Sequence, residues 1–492
     1  MKVLLLVLLV GVCHAKNYTN IVTGPVLIDN NNPAYVAGNI SLITKKEESP
    51  GVNMLSIFIA QMALAHNTFL SEFIGSVWLP VPQDSEYFAG ISRFHFPIFG
   101  PNPNNKIEYP FLQGFFLYGG KEREERLRDG DKMLVDKYNM PPRSIDVNVS
   151  MSGSPQGEQY ATGDERGSEN SFLTVVHTIW IRWHNYLVLR GYSFEEAKEQ
   201  VIIDIQSMIY KELLPVLLGP YSDCSNIQPI KNLDITFSVI LRIHSMVNSA
   251  ILGSFERVDI NSLRDIFFDP LPLQEMKGNL KPFILSMYET PAFKDTLRMD
   301  DDMNRHLFER QPNSVFSLGA VNSARGPDLQ LSDFNSAREA QGLSPYQTYE
   351  EFVDDQEVLA FLYKFYPGGP STCPIWICVR AEKNAAGSSM GETSSVWFQQ
   401  QLCGLRSFLP LEKATPFTEI LCKTTGACGL KYPFSATGTT SNIGILSFLL
   451  VAFIMSLGPL FQTALSLQMI FFFTVYTVVG SLLITVLFAV FA

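Results

Sequence analysis

The sequence predicts a mainly α ectodomain followed by C-terminal transmembrane helices, and three observations carry that fold class. Helical periodicity dominates Met54 to Trp78, Lys121 to Tyr138, Phe172 to Arg190, Ser193 to Leu217, Leu233 to Ile251 and Tyr346 to Tyr366. Long alternating β patterns are scarce, and proline and glycine cluster between the periodic stretches, as in Pro97 to Asn104 and Pro367 to Pro370. From Ile443 to Ala492 there is no charged residue at all.

The two ends differ in kind from the middle. Residues 1–15, MKVLLLVLLVGVCHA, join one lysine, an apolar run and small residues before a cut after Ala15, the pattern of a secretory signal peptide. Residues 16–440 then form a single ectodomain. Asn17, Asn39 and Asn148 each open a glycosylation sequon, which agrees with passage through the secretory pathway. At the other end, residues 443–461 and 469–492 are each long enough to cross a bilayer as a helix. Two spans are expected; one kinked span with a re-entrant piece, or a lipid-anchor signal, are the alternatives. No Lys or Arg follows Lys431, so orientation rests on the leader, which puts the ectodomain at the cell surface or in the lumen of an endomembrane.

Composition excludes several functions. Charged residues make up 17% of the chain and the net charge is -11 without a Lys/Arg run, so nucleic acid is not a partner. Six cysteines remain after Ala15 (Cys224, Cys373, Cys378, Cys403, Cys422 and Cys428), which in an oxidising compartment suggests disulfides. Proximity favours Cys373–Cys378 and Cys422–Cys428, although six cysteines allow fifteen pairings. No glycine-rich phosphate cradle opens a helix and no GxSxG elbow occurs. Asp300 to Asn304 imitates a calcium loop, but Arg305 and Gln311 stand where glycine and glutamate are needed.

Three stretches set histidine or arginine among apolar residues. At helical spacing His66 shares a face with Ile59, Met62, Phe69, Leu70 and Phe73. Gly163-Asp164-Glu165-Arg166-Gly167-Ser168-Glu169 is a polar turn that leads into the helix from Phe172. His244 lies on an apolar face with Phe237, Ile240, Leu241 and Ile251. Each histidine alone reads as a hydrogen-bonded core residue. Two such segments facing each other, with an arginine nearby, would make the apolar slot that a planar macrocycle requires, with an axial ligand on one side and acid–base groups on the other.

Together these stretches resemble the animal haem peroxidase superfamily over about residues 20–435, and most nearly the peroxidase-like ectodomain of dual oxidases. GDERGSENSFLTVVHTIWIRWHN is similar to the family's Gly-Asp-x-Arg-x-x-Glu turn and the helix after it. IYKELLPVLLGP, PFLQGFFLYGG and VNSARGPDLQLSDFNSAREAQGLSPY resemble further family segments in the same order. The resemblance implies haem b as cofactor, with His244 as axial ligand of the iron and Asn322 as the asparagine that hydrogen-bonds it. It implies Arg325 near the haem propionates, Arg166 and His66 as the catalytic pair on the peroxide side, and Glu169 as a carboxylate able to form an ester with a haem methyl. His177 and His184 are then packing residues.

Departures from the family pattern are informative. The family's distal glutamine stands four residues before its histidine; Gln61 stands five before His66, which on a regular helix leaves them about 140° apart. A π-bulge would absorb the extra residue; otherwise one of the pair misses the haem. Ala65 replaces the second ester-forming aspartate, so at most one ester link forms. The proximal Arg-x-Gly-His becomes Arg242-Ile243-His244. The family's calcium positions fall at Tyr109, Gln113 and Phe115, with Asn67 after the distal histidine, so no calcium is expected.

Two functions follow from these residues. The first is a membrane-anchored extracellular haem peroxidase that uses hydrogen peroxide to oxidise small donors or protein tyrosines. The alternative is a binding module with degraded catalysis that partners a peroxide-generating NADPH oxidase. These 492 residues contain no calcium-sensing hand and no flavin or nicotinamide domain, so peroxide is expected from outside.

Overall fold

The computed structural model describes residues 47–65, 72–80, 88–95, 112–152, 158–230, 233–234, 236–253, 255, 258–307, 318–328, 331–406 and 410–431. The leader at 1–15, Asn17, Asn39, His66 and both apolar blocks, 443–461 and 469–492, lie outside the described residues. Among the described residues, no helix is long and apolar enough to cross a membrane.

Helices dominate, as the periodicity predicts. The chain enters on β1 (Glu48–Asn53) and turns directly into α1 (Met54–Ala60). Asn53 makes that turn possible: its side chain accepts the Ser56 amide hydrogen at 3.1 Å, replacing a bond the helix start lacks. The expected helix to Trp78 stops early. A π-helical turn, Gln61–Ala65, follows α1, and Glu72–Pro80 (β2) pairs antiparallel with Phe88–His95 (β3). Phe73, Ile74, Val77 and Trp78 explain the change, being residue types that suit a pleated ladder better than a helix.

The element at the centre of the fold is α2 (Ser171–Leu189). Asn170 caps it by accepting from the Leu173 amide at 2.8 Å, and every residue from Ser171 to Asn185 is buried. A helix apolar on all sides needs covering on all sides. It packs against α1, against α3 (Phe194–Met208), against α5 (Lys281–Glu289) and against α9 (Phe417–Thr425). Trp180 stacks on Phe417 at 5.5 Å, and full burial of such a ring contributes about 2–3 kcal/mol. Several of its polar residues are engaged within the protein. Tyr118 Oη lies 2.9 Å from His184 Nδ1 and the Asp131 carbonyl lies 3.0 Å from His184 Nε2. A carbonyl only accepts, so Nε2 carries the hydrogen and Nδ1 accepts from the tyrosine. Arg182 donates to the carbonyls of Asn139, Thr424 and Gly278 at 2.8–2.9 Å, tying α2 to α9 and to two loops.

Three other predicted helices are shorter than their periodicity suggests, the one over Tyr346 to Tyr366 keeping only a 3₁₀ turn at Tyr349–Glu351 and a helix at Gln356–Phe365. The one from Lys121 ends at Arg126, because Gly130, at φ 58°, reverses the chain and pairs Arg128 with Met133. The stretch Leu233 to Ile251 keeps only α4 (Phe237–Ile240) and a 3₁₀ turn at His244–Met246. Side chains take the carbonyls that a continuing helix would use. Arg380, on α7 (Ile375–Ala381), donates to the Ile240 carbonyl at 3.0 Å, and Trp376 donates to that of Arg242 at 3.2 Å. Between these two regions runs α6 (Leu318–Asp328), with α8 (Glu392–Gly404) behind α4 and α7. Disulfides join Cys373–Cys378 and Cys422–Cys428, as proximity predicts, and the remaining pair is Cys224–Cys403.

Candidate active site

The turn before α2 has its shape fixed by two close approaches. A Cβ on Gly163 would stand 2.4 Å from the Leu117 carbonyl carbon and 2.6 Å from the Gly119 nitrogen. One on Gly167 would stand 2.1 Å from Thr162 Oγ1. Only glycine fits at either place. Within this turn Asp164 folds back on Arg166. Its Oδ1 accepts from the Arg166 backbone amide and from Nε, both at 2.8 Å, and its Oδ2 accepts from Nη2 at 2.7 Å. Burial disfavours the guanidinium charge, but the Asp164 carboxylate outweighs it and Arg166 stays raised above its ordinary range. Asp164 thus aims and holds Arg166. It stands two residues away in the same motif, which was the sequence signal for it.

Glu169 closes the turn and meets the π-helical segment. Gln61 Nε2 donates to Glu169 Oε2 at 3.1 Å. A π turn brings residues five apart into register, which is the adjustment the displaced Gln61 requires. Burial pushes the Glu169 carboxyl up to about 7, with Arg166 and the Gln61 hydrogen bond pulling the other way.

His244 opens its 3₁₀ turn. Asn322, on α6, brings Nδ2 to 2.9 Å from His244 Nδ1, so the contact expected between them is present. Arg242 supplies a third member that the residue pattern marked only as a displaced family arginine. Its Nη1 donates to Asn322 Oδ1 at 3.3 Å. Beneath them Ser245 donates to Asp295 at 2.7 Å, and Asp295 pairs with Arg380 at 2.5 Å, both fully buried. Burial, followed by the charges of Arg242 and Arg380, pushes His244 down to about 3. Arg242 is pushed well below its ordinary value by burial and then by the charges of Arg325 and Arg166. Arg325 is itself buried. Three guanidiniums therefore converge on this region.

Gln61, Arg166, Glu169, Arg242 and His244 share a further property. Each is only half-buried, while Ala60, Met62, Ser168, Asn170, Ile243 and Ser245 beside them are buried. Yet burial is the foremost influence on the four titratable members. These side chains are therefore deep and still accessible. An imidazole with one ring nitrogen held from behind, three converging cations and a carboxylate fit a haem, whose iron takes a histidine nitrogen and whose propionates need cationic partners. Among the described residues, no group of three or more His, Cys, Asp or Glu is arranged to hold a metal ion.

Comparison with known proteins agrees with this geometry. The family model described as animal haem peroxidase matches residues 109–408. Peroxinectin A of Dictyostelium discoideum is 23% identical over 364 residues, 68% of this chain and 67% of that protein. Human thyroid peroxidase is 25% identical over 57% of this chain and mouse lactoperoxidase 27% identical over 57%. The chain spans only 33% and 43% of the length of these last two. Among solved structures, peroxidase A from Dictyostelium discoideum superposes with a TM-score of 0.70 at 21% identity, covering 83% of this chain and 91% of that one. The fatty acid alpha-dioxygenase of Oryza sativa reaches 0.64 at 13% identity over 85% of this chain and 83% of its own, a likeness of fold.

Proposed function

The chain belongs to the animal haem peroxidase family, and from that premise we propose that it is a membrane-anchored, extracellular or lumenal peroxidase that oxidises small donors or protein tyrosines with hydrogen peroxide. The supporting observation is the hydrogen bond of Gln61 to Glu169 in the turn that carries Arg166, together with Asn322 on the His244 ring. Haem b, when bound, supplies an iron that accepts oxidising equivalents from peroxide and returns them to the donor. His244 would hold the iron, with Asn322 on its ring and Arg242 on Asn322. Arg325 would pair with the carboxylates of the haem. Arg166, aimed by Asp164, presents a fixed positive charge to the peroxide oxygens and stabilises the charge that grows as they separate. His66 takes the peroxide proton and gives it to the departing oxygen. Glu169 is placed in the family's ester-forming role.

Residues 1–15 act as the leader, and 443–461 and 469–492 as the anchor. Asn17, Asn39 and Asn148 carry glycans. Peroxide comes from a separate NADPH oxidase. The dual-oxidase form of the Arg182-Trp183-His184-Asn185 stretch is in keeping with that partnership. An absorption spectrum of the purified chain supplied with haem tests the reading. A Soret band that shifts with peroxide in the parent and is lost in His244→Ala supports it. A protein that takes up no haem overturns it.

A further inference from the structure

We infer that the first N-acetylglucosamine of a glycan on Asn148 occupies a cavity shared by the sequon and the turn that carries Arg166, and that it braces this turn. The inference rests on the lumenal reading of residues 16–440 for the presence of the sugar, and on geometry for where the sugar lies.

A cavity of about 720 Å³ has Asn148 and Ser150 in its lining, together with Gly163, Asp164 and Glu165, the residues directly before Arg166. The sequon is held at this cavity by the short helix Lys121–Arg126. Arg126 Nη1 donates to the Asn148 carbonyl, and Arg123 Nη2 donates to the Ser150 carbonyl at 2.8 Å. Asn148 itself is exposed and stands at φ 51°, a region that asparagine enters more readily than most residues. A sugar joined to its Nδ2 therefore begins where the cavity begins. The tether also spares it most of the entropy that a free sugar would lose on binding, so modest contacts suffice to hold it.

The lining selects a neutral, hydroxyl-rich occupant. Lys121, Arg123 and Arg126 are matched by Glu122, Asp164 and Glu165, so neither sign of charge prevails. Arg126 is already bonded to Glu122, and Asp164 to Arg166. What remains is a set of donors and acceptors around the half-buried ring of Phe115. N-acetylglucosamine has hydroxyls along its edge, C–H groups on its face and an acetamide with one donor and one acceptor. That is the complement of an aromatic surface ringed by polar groups.

Filling this cavity acts on the turn because the sequon and the turn are already tied. Arg123 Nε donates to the Thr162 carbonyl at 2.7 Å while its Nη2 holds Ser150, and the Ser152 amide donates to the Glu165 carbonyl at 2.8 Å. A sugar packed between them opposes the opening of residues 162–166, and so holds Asp164 where it aims Arg166.

Hydrogen–deuterium exchange of the full chain, expressed in secretory cells and purified in detergent, tests this. Three glycosylated samples are compared with one that is not: the parent, the parent trimmed by endoglycosidase H to a single N-acetylglucosamine, Ser150→Thr, and Ser150→Ala, which keeps Asn148 but breaks the sequon. Residues 162–166 should exchange alike in the first three and about tenfold faster in Ser150→Ala. Equal exchange in Ser150→Ala and a glycosylated parent overturns the inference alone. So does a trimmed parent that exchanges as fast as Ser150→Ala, since the outer sugars would then be the brace. A parent that carries sugar at Asn17 or Asn39 but none at Asn148 also overturns it. A parent without sugar at any of the three sequons overturns the lumenal reading and the inference together.

Discussion

Gln61 and Glu169 lie 108 positions apart in the chain and meet through a hydrogen bond of 3.1 Å. The contact joins the π-helical end of the first helix to the turn that carries Arg166, and it brings Gln61 to Glu169 despite the extra residue before His66. Its energetics can be tested without any cofactor. Glu169 is raised from about 4.5 to about 7, mainly by burial, so the folded protein binds a proton there that the unfolded chain releases. The stabilising effect is complete below pH about 4.5 and is lost as pH rises through about 7. Glu169→Gln should remove that decline, so the difference in denaturant midpoint between parent and variant should grow across this window. A constant difference from pH 4 to pH 8 would show that Glu169 titrates normally.

Gly163→Ala is expected to be costly although it adds one methyl group. The new Cβ would meet backbone of Leu117 and Gly119, neither of which can swing aside. Overpacking of this kind costs about 3 kcal/mol. Urea unfolding should report the loss, and the turn bearing Arg166 should become more open to protease. Parent-like stability would mean that the turn relaxes freely.

Arg182→Met keeps the apolar volume on α2 but strands the carbonyls of Asn139, Thr424 and Gly278. Leaving buried acceptors unsatisfied costs about 1–3 kcal/mol. A drop in thermal midpoint together with faster amide exchange in α9 is the expected result. An unchanged midpoint would mean that water replaces the guanidinium at no cost.

Asn148 is exposed and sits at φ 51°, a turn conformation that leaves its side chain in solvent. Expressed in secretory cells, the protein should lose one glycosidase-sensitive step in gel mobility on Asn148→Gln. Identical mobility for parent and variant would count against the lumenal placement of residues 16–440.

Much of this fold was legible because its causes are local. The second helix announces itself through Asn170 at its start and apolar residues spread over all its faces, and the burial of Ser171 to Asn185 follows from that spread. Cys373–Cys378 and Cys422–Cys428 are short-range events of the same kind, whereas Cys224–Cys403 spans 179 positions. Periodicity misled where a distant side chain intervened. Nothing near Ile240 or Arg242 says that Arg380 and Trp376 will take their carbonyls and end the helix before His244. It misled again after Ala65, where strand pairing with Phe88–His95 outweighed the helical pattern.

The candidate site divides along the same line. By itself the sequence determined the family and the turn that carries Arg166, since each rests on residue types in a fixed local order; Asn322 as the partner of His244 was implied by the family resemblance. Only the tertiary structure decided that Arg242 shares Asn322 and that Gln61 reaches Glu169. Apolar periodicity states which face of a segment turns inward. The direction of a hydrogen bond is set by which donor arrives at which acceptor from another part of the chain, and that exists only once the chain has closed.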